Sequence, residues 1–394
     1  MYTPRGHHFF GFLPPAGGGT ERLQQMIEKL QQELNFQRAG RILKPDTLRL
    51  TRPFGKTIWL TTILLLLLGG AAERVARLEF FQAPLTPPKM GSRHYELGHK
   101  LALLETAIKK NGPIDCLVIG SSMVDLGFDP DAFRKGYRES TGQDIRCFNF
   151  GIDASSAASA AALAQILIED YHPRLLIYGT DARDYAVPQE DPDAAVILGT
   201  PWVKYRLGGF SLDGWLTEYS YLYRYRQHLS RLVRFQFEGT LRSQTKQNFE
   251  ILRNGFTPYT TVSTYINDPP DPQDDRFEVR YYTRIFSSYR MLEANVDALE
   301  QVMSHNGLDT QVIVVEMPVA DGLYYFFGNG ENDYQRFIVQ MNELSKLHQV
   351  PFWQTESLDL IPDNGWVDYS HMNATGAKVF SSWLGQQVGE AEKP

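Results

Sequence analysis

Short apolar runs that end on glycine alternate along this chain with longer stretches whose apolar residues recur every three to four positions. The runs at 115–119, 145–150, 174–178, 311–316 and 352–354 read as strands, and Gly120, Gly151 and Gly179 close the first three. The stretches at 101–109, 155–170, 291–304, 333–348 and 375–387 carry the helical period. Asp129-Pro130 supplies a cap and a first-turn proline for a further helix reaching Glu139. The 155–170 helix is rich in Ala and Ser, small enough to pack close on a sheet. Strand–helix alternation of this kind predicts an α/β fold: a doubly wound parallel sheet with helices on both faces. In such sheets a site forms outside the C-terminal ends of the strands, where the three glycines fall.

Residues 57–72 fit neither period. They carry no charge, contain five consecutive leucines, and are bracketed by Lys56 and by Glu73-Arg74. The run is short for a spanning helix, which needs roughly 20 apolar residues. Val75, Ala76 and Leu78 extend it if Glu73 and Arg74 snorkel or pair. A transmembrane signal anchor at 57–76 is therefore expected, with a buried core helix as the alternative. Before it stand Arg5, Arg22, Lys29, Arg38, Arg41, Lys44, Arg49, Arg52 and Lys56, against Glu21, Glu28, Glu33 and Asp46. The positive-inside rule then puts the N-terminus in the cytoplasm and the main domain outside it, periplasmic or at the cell surface. The long N-terminal region favours an uncleaved anchor.

Four regions follow: a cytoplasmic extension at 1–56, the anchor at 57–76, a linker and first helix at 77–110, and a domain at 111–390. The extension opens on a Gly- and Pro-rich stretch that reads as disordered. Thr20 then caps a helix in which Leu23, Ile27, Leu30 and Leu34 share a face, a stripe at 20–36 suited to self-association, a partner or the membrane. The linker carries Pro84, Pro87 and Pro88. An insertion at 185–290 interrupts the alternation and reads as a cap between the third and fourth strands. It is rich in aromatic residues and arginine, including Tyr219, Tyr221, Tyr223, Arg224, Tyr225, Arg226, Arg231, Arg234, Phe235 and Phe237. These suit either a binding wall for sugars and anions or an amphipathic helix packed on the sheet.

Composition narrows the function. Of the 394 residues, 43% are hydrophobic and 22% charged, as in a folded domain. A net charge of −7 argues against nucleic-acid binding, which needs a basic face. The histidines outside 368–371, including His172 and His228, lack ligand-like spacing, so neither a metal site nor a cofactor is expected. Cys116 and Cys147 each precede a strand-end glycine by four residues. A disulfide between neighbouring strands is open to them outside the cytoplasm. Adjacent strands seldom give good disulfide geometry, so buried free thiols are the expectation.

The candidate chemistry lies in Gly120-Ser121-Ser122 and in Asp368-Tyr369-Ser370-His371. Serine is a poor nucleophile until a base takes its proton; histidine can do so near neutrality, and a carboxylate fixes the imidazole tautomer. Read conservatively, each motif is a turn or helix cap.

Together with Asn149-Phe150-Gly151 and Gly179-Thr180-Asp181, in this order, these blocks resemble the SGNH (GDSL-like) hydrolase superfamily, whose fold is flavodoxin-like. The resemblance covers 111–390 apart from the insertion. It implies Ser122 as nucleophile, His371 as base and Asp368 as its orienter. The backbone N–H groups of Ser122 and Gly151 would form the oxyanion hole. Two positions depart from the pattern. Ser121 replaces an aspartate, and Asp181 stands where the family's asparagine donates to the oxyanion. Arg183 could neutralise Asp181 or donate in its place, Asp181 could be protonated, or the site could be weak. With its anchor, the chain resembles membrane-anchored SGNH-like proteins that decorate envelope polymers, such as alginate O-acetylation proteins and D-alanyl transfer proteins. That resemblance implies an esterase or O-acyltransferase acting through an acyl-serine on an acylated cell-envelope polysaccharide. The partners implied are an acylated glycan or acyl donor and a membrane-bound O-acyltransferase. The alternative is a weak or inactive module that binds glycan or a partner.

Overall fold

The structure is a computed structural model that describes residues 52–78, 95–188, 192–226, 254–271, 274–307 and 309–393. The stripe at 20–36, the linker prolines, His228, Arg231, Arg234, Phe235 and Phe237 lie outside the described residues. The chain divides into two compact units, Met1–Ala71 and Ala72–Pro394.

Helix α1, Arg52–Ala76, contains a 22-residue stretch, Gly55–Ala76, of mean hydropathy 1.6. At 1.5 Å per residue it extends about 33 Å, against about 30 Å of bilayer hydrocarbon. It is the one described helix long and apolar enough to cross a membrane. Its leucines and Trp59 are exposed on all sides, which distinguishes it from a core helix.

In the second unit α2 (Tyr95–Asn111) leads into β1 (Cys116–Gly120), α3 (Ser122–Gly127), α4 (Pro130–Thr141) and β2 (Cys147–Gly151). Next come α5 (Ala157–Tyr171), β3 (Leu175–Thr180) and short helices α6 (Ala182–Ala186), α7 (Pro192–Leu198), α8 (Pro201–Arg206), α9 (Leu212–Tyr219) and α10 (Tyr221–Arg224). After them stand α11 (Phe277–Phe286), α12 (Glu293–Met303), β4 (Gln311–Glu316), α13 (Glu331–His348), β5 (Phe352–Trp353) and α14 (Ala374–Ala391). All five strands are parallel, in the order β2-β1-β3-β4-β5. This is the flavodoxin-like doubly wound order, whose direction reverses at β1 and β3.

Period-two alternation sends Leu117, Ile119, Leu176, Tyr178, Val312 and Val314 to one face. Residues from α2, α5, α12 and α13 cover them. Val118, Ile177, Ile313 and Val315 face the other way, onto α4 and α14 through Phe133, Tyr137, Phe380 and Leu384. The alanines of α5 other than Ala158 are buried, as its composition implied. Helices α4 and α14 touch backbone to backbone: a Cβ at Gly136 would lie 2.0 Å from the Ser382 carbonyl, and one at Gly385 would lie 2.1 Å from that of Phe133. Asp129 caps α4 from Oδ1, accepting the Asp131 and Ala132 N–H groups, with Pro130 in the first turn.

The expected free thiols are a disulfide: Cys116 and Cys147 are bonded. The two residues are direct register partners on β1 and β2, so their side chains leave the same face with the Cα atoms 4.3 Å apart. Equal spacing from the strand-end glycines brought the sulfurs together, and pairing at the strand starts let them bond.

Candidate active site

The site is built on strand ends made of glycine. Helix α3 starts immediately beyond β1 and lies across the ends of three strands. A Cβ on Gly120 or Gly179 would meet Val124 Cγ2 at 2.4 or 2.5 Å, and one on Gly151 would lie 2.2 Å from the Asp125 nitrogen. Larger residues would lift α3 off the sheet. Ser121 is its N-cap, accepting the Met123 N–H, and this leaves Ser122 as first helical residue with its hydroxyl outward.

The far wall is the turn between β5 and α14. An antiparallel bridge between Trp366 and Met372 and the Val367 N–H bond to the His371 carbonyl close it. Asn373 caps α14, and its amide donates to the carbonyls of Thr261, Asn364 and Trp366. With Asn373 as cap, Asp368 and His371 are free for other work. The Asp368 carboxylate accepts the N–H groups of Ser370 and His371, both at 2.9 Å. It also holds His371 Nδ1, at 2.9 Å from Oδ1 and 2.8 Å from Oδ2. His371 Nε2 lies 2.8 Å from Ser122 Oγ. Residues 249 positions apart are thus joined in one Ser–His–Asp relay.

Burial opposes the imidazolium, but the Asp368 charge and hydrogen bond outweigh it, so His371 is raised above the usual histidine range. Burial likewise opposes the Asp368 carboxylate, yet its bonds to His371 and the backbone hold it below the usual range. This combination gives a base oriented by a carboxylate that stays ionised.

The neighbouring residues already have partners of their own. The Gly151 N–H is already used: it donates to Asn149 Oδ1 at 2.8 Å. The Asn149 amide in turn donates to the carbonyls of Val124 and Phe128, both at 2.7 Å, and of Asp125 at 3.2 Å. The Asn-Phe-Gly block therefore clamps the C-terminal end of α3. In the turn that follows, Ser155 N–H donates to the Ile152 carbonyl, and Ala154 takes the left-handed conformation at φ 56°. Among the described residues the N–H groups of Ser122 and Ala154 have no protein acceptor.

Asp181 is buried at the end of β3, where it caps α6 by accepting the Asp184 N–H. Arg183 forms no hydrogen bond to it among the described residues. Its Nη1 lies 3.4 Å from Asp184 Oδ1 and 3.2 Å from the Ser155 carbonyl, and its Nε donates to Tyr281 Oη at 2.7 Å. Two buried carboxylates thus share one guanidinium. Burial and the Asp181 charge push Asp184 well above the carboxylate range. Asp181 is raised by burial against the pull of Arg183. The hydroxyls of Tyr178 and Thr180 point at Asp184 Oδ2.

Several supporting residues carried no sequence signal. Tyr282 on α11 is a buried core residue that bonds Ser370 Oγ behind the relay. Lys100 is a buried cation on α2 that bonds Asp125 and the Gly255 carbonyl, while Thr257 donates to the same carboxylate. Glu96 accepts the Asp153 N–H at 2.8 Å; burial, with the charges of Asp125 and Asp153, pushes it up to about 7. Such residues are invisible in sequence because only long-range packing makes them neighbours. Among the described residues no group of His, Cys, Asp or Glu is arranged to hold a metal.

No model of a known protein family matches this chain, and no curated protein is similar to it.

Proposed function

We propose that the second unit is a serine esterase or O-acyltransferase of the SGNH type. The supporting observation is the relay itself: Ser122 Oγ at 2.8 Å from His371 Nε2, with Nδ1 held by Asp368 at 2.8 Å. His371 takes the serine proton as Ser122 attacks an ester carbonyl, and Asp368 stabilises the imidazolium that forms. The oxyanion meets the Ser122 N–H at the start of α3. With Gly151 committed to Asn149, the candidate second backbone donor is Ala154, whose N–H has no acceptor among the described residues. His371 then returns its proton to the departing alkoxide, leaving an acyl-serine. Water as second acceptor makes an esterase; a sugar hydroxyl makes a transferase.

In this reading α1 anchors the domain outside the cytoplasm, and the acyl group comes from or goes to an envelope polysaccharide, beside a membrane-bound O-acyltransferase. The Cys116–Cys147 disulfide favours that side, because the cytoplasm keeps thiols reduced. One observation favours the second reading, a catalytically weak binding module: a buried carboxylate, Asp181, stands where an amide donor would serve the oxyanion. The discriminating experiment is reaction of the full chain with a fluorophosphonate probe. Labelling that is lost in Ser122→Ala is expected. Folded protein that never labels would sink the enzyme reading.

A further inference from the structure

We propose that the α8–α9 hairpin, residues 205–219, is a membrane-contact surface that rests in the headgroup layer of the bilayer crossed by α1. Along this stretch Leu207, Phe210, Leu212, Trp215 and Tyr219 are all exposed, Phe210 at 98% and Leu212 at 61%. The Tyr219 ring centroid lies 5.8 Å from that of Trp215 and 6.3 Å from that of Tyr205, which makes a contiguous aromatic face. Phe210 stands at its tip, after Gly208 and Gly209, and Lys204 is exposed beside it. Surfaces that face only water rarely leave such a group together. Trp and Tyr beside a protruding Phe and Leu, with a cation at hand, is the side-chain set that settles at a lipid–water boundary.

Lipid is favoured over any other occupant because this face is tied to the end of the membrane helix. Glu73, in the last turn of α1, accepts the N–H groups of Tyr221 at 2.8 Å and Leu222 at 3.1 Å and the Ser220 hydroxyl at 2.9 Å. Arg77, just beyond α1, donates to the Tyr219 carbonyl at 3.0 Å and to Glu73 at 3.1 Å, and lies over the Tyr221 ring. Ala76 is fully buried. The charged pair that ends the apolar stretch therefore clamps the junction of α9 and α10. A segment fixed to the point where the chain leaves the bilayer is held at the bilayer surface, and its apolar side chains have lipid within reach.

The test uses the full chain in vesicles of phosphatidylcholine and phosphatidylglycerol containing lipids with a nitroxide near the headgroup and lipids with a nitroxide at mid-acyl chain. Single cysteines carrying an environment-sensitive dye are placed at Phe210→Cys, at Leu347→Cys, exposed on α13, and at Leu65→Cys within α1. The bonded Cys116 and Cys147 take no label. Blue-shifted emission quenched by the nitroxide lipids is expected at 210, as at 65, and unquenched aqueous emission at 347. Quenching at 65 without quenching at 210 overturns the proposal and leaves the face to a protein partner. No quenching at 65 removes α1 from the bilayer and overturns the proposal with it. Both outcomes are independent of whether Ser122 is catalytic.

Discussion

Replacing both cysteines, Cys116→Ala with Cys147→Ala, tests the fold and the topology together. The bond joins residues 31 positions apart, on strands that remain paired over five residues without it. Its contribution therefore falls on the unfolded chain. The loop-closure relation gives about 12 cal/mol/K, or about 3.7 kcal/mol at 25 °C. Loss of the two buried sulfurs raises the total to about 4–5 kcal/mol. For a domain of roughly 300 residues, the unfolding entropy converts this to a Tm lower by about 7 °C. Calorimetry of both proteins in mild detergent measures it. A shift under about 1 °C would refute the argument, because the bond would then constrain nothing in the unfolded chain. The same proteins test the location. Alkylation of the wild type, denatured straight from cells, should find both thiols blocked if the domain is exported, and free if it is cytoplasmic.

Four further outcomes are expected. Asp181→Asn keeps a side-chain oxygen for the α6 cap and adds an amide donor while removing one of two paired carboxylates. Fluorophosphonate labelling should accelerate by roughly 100- to 1000-fold, and an unchanged rate would show that Asp181 does not face the oxyanion. Labelling should rise with pH through an apparent pKa above about 6.5, since the base must be neutral and Asp368 holds His371 up. The stability supplied by that raised pKa runs oppositely: it is complete below about pH 6.5 and fades as pH climbs through the folded value, which denaturant titration across pH would detect. Lys100→Met strands a buried Asp125 carboxylate and should lower stability by about 3–5 kcal/mol; a loss under about 1 kcal/mol would mean that water reaches Asp125.

The sequence by itself determined the strands, the helices that alternate with them and one helix long and apolar enough to cross a membrane, because each is a local pattern. Period-two apolar runs ending on glycine located β1 to β3 within a residue or two, and the Asp129-Pro130 cap located α4. It also nominated Ser122, Asp368 and His371, because a nucleophile at a strand end and an Asp-x-x-His turn are short motifs. What it could not settle depended on the third dimension. Whether Cys116 and Cys147 bond is a matter of register, and register is set by which strands are neighbours. Whether the Gly151 N–H is free depends on the Asn149 side chain, which the fold turns back to clamp α3. Arg183 is two residues from Asp181 in sequence, yet the α6 turn directs it to Asp184 and Tyr281. Lys100 and Tyr282 reach the site only because helices distant in sequence pack against it. Local propensity decides where elements lie, while long-range packing decides which polar groups they present to one another, and the chemistry of the site rests on the second.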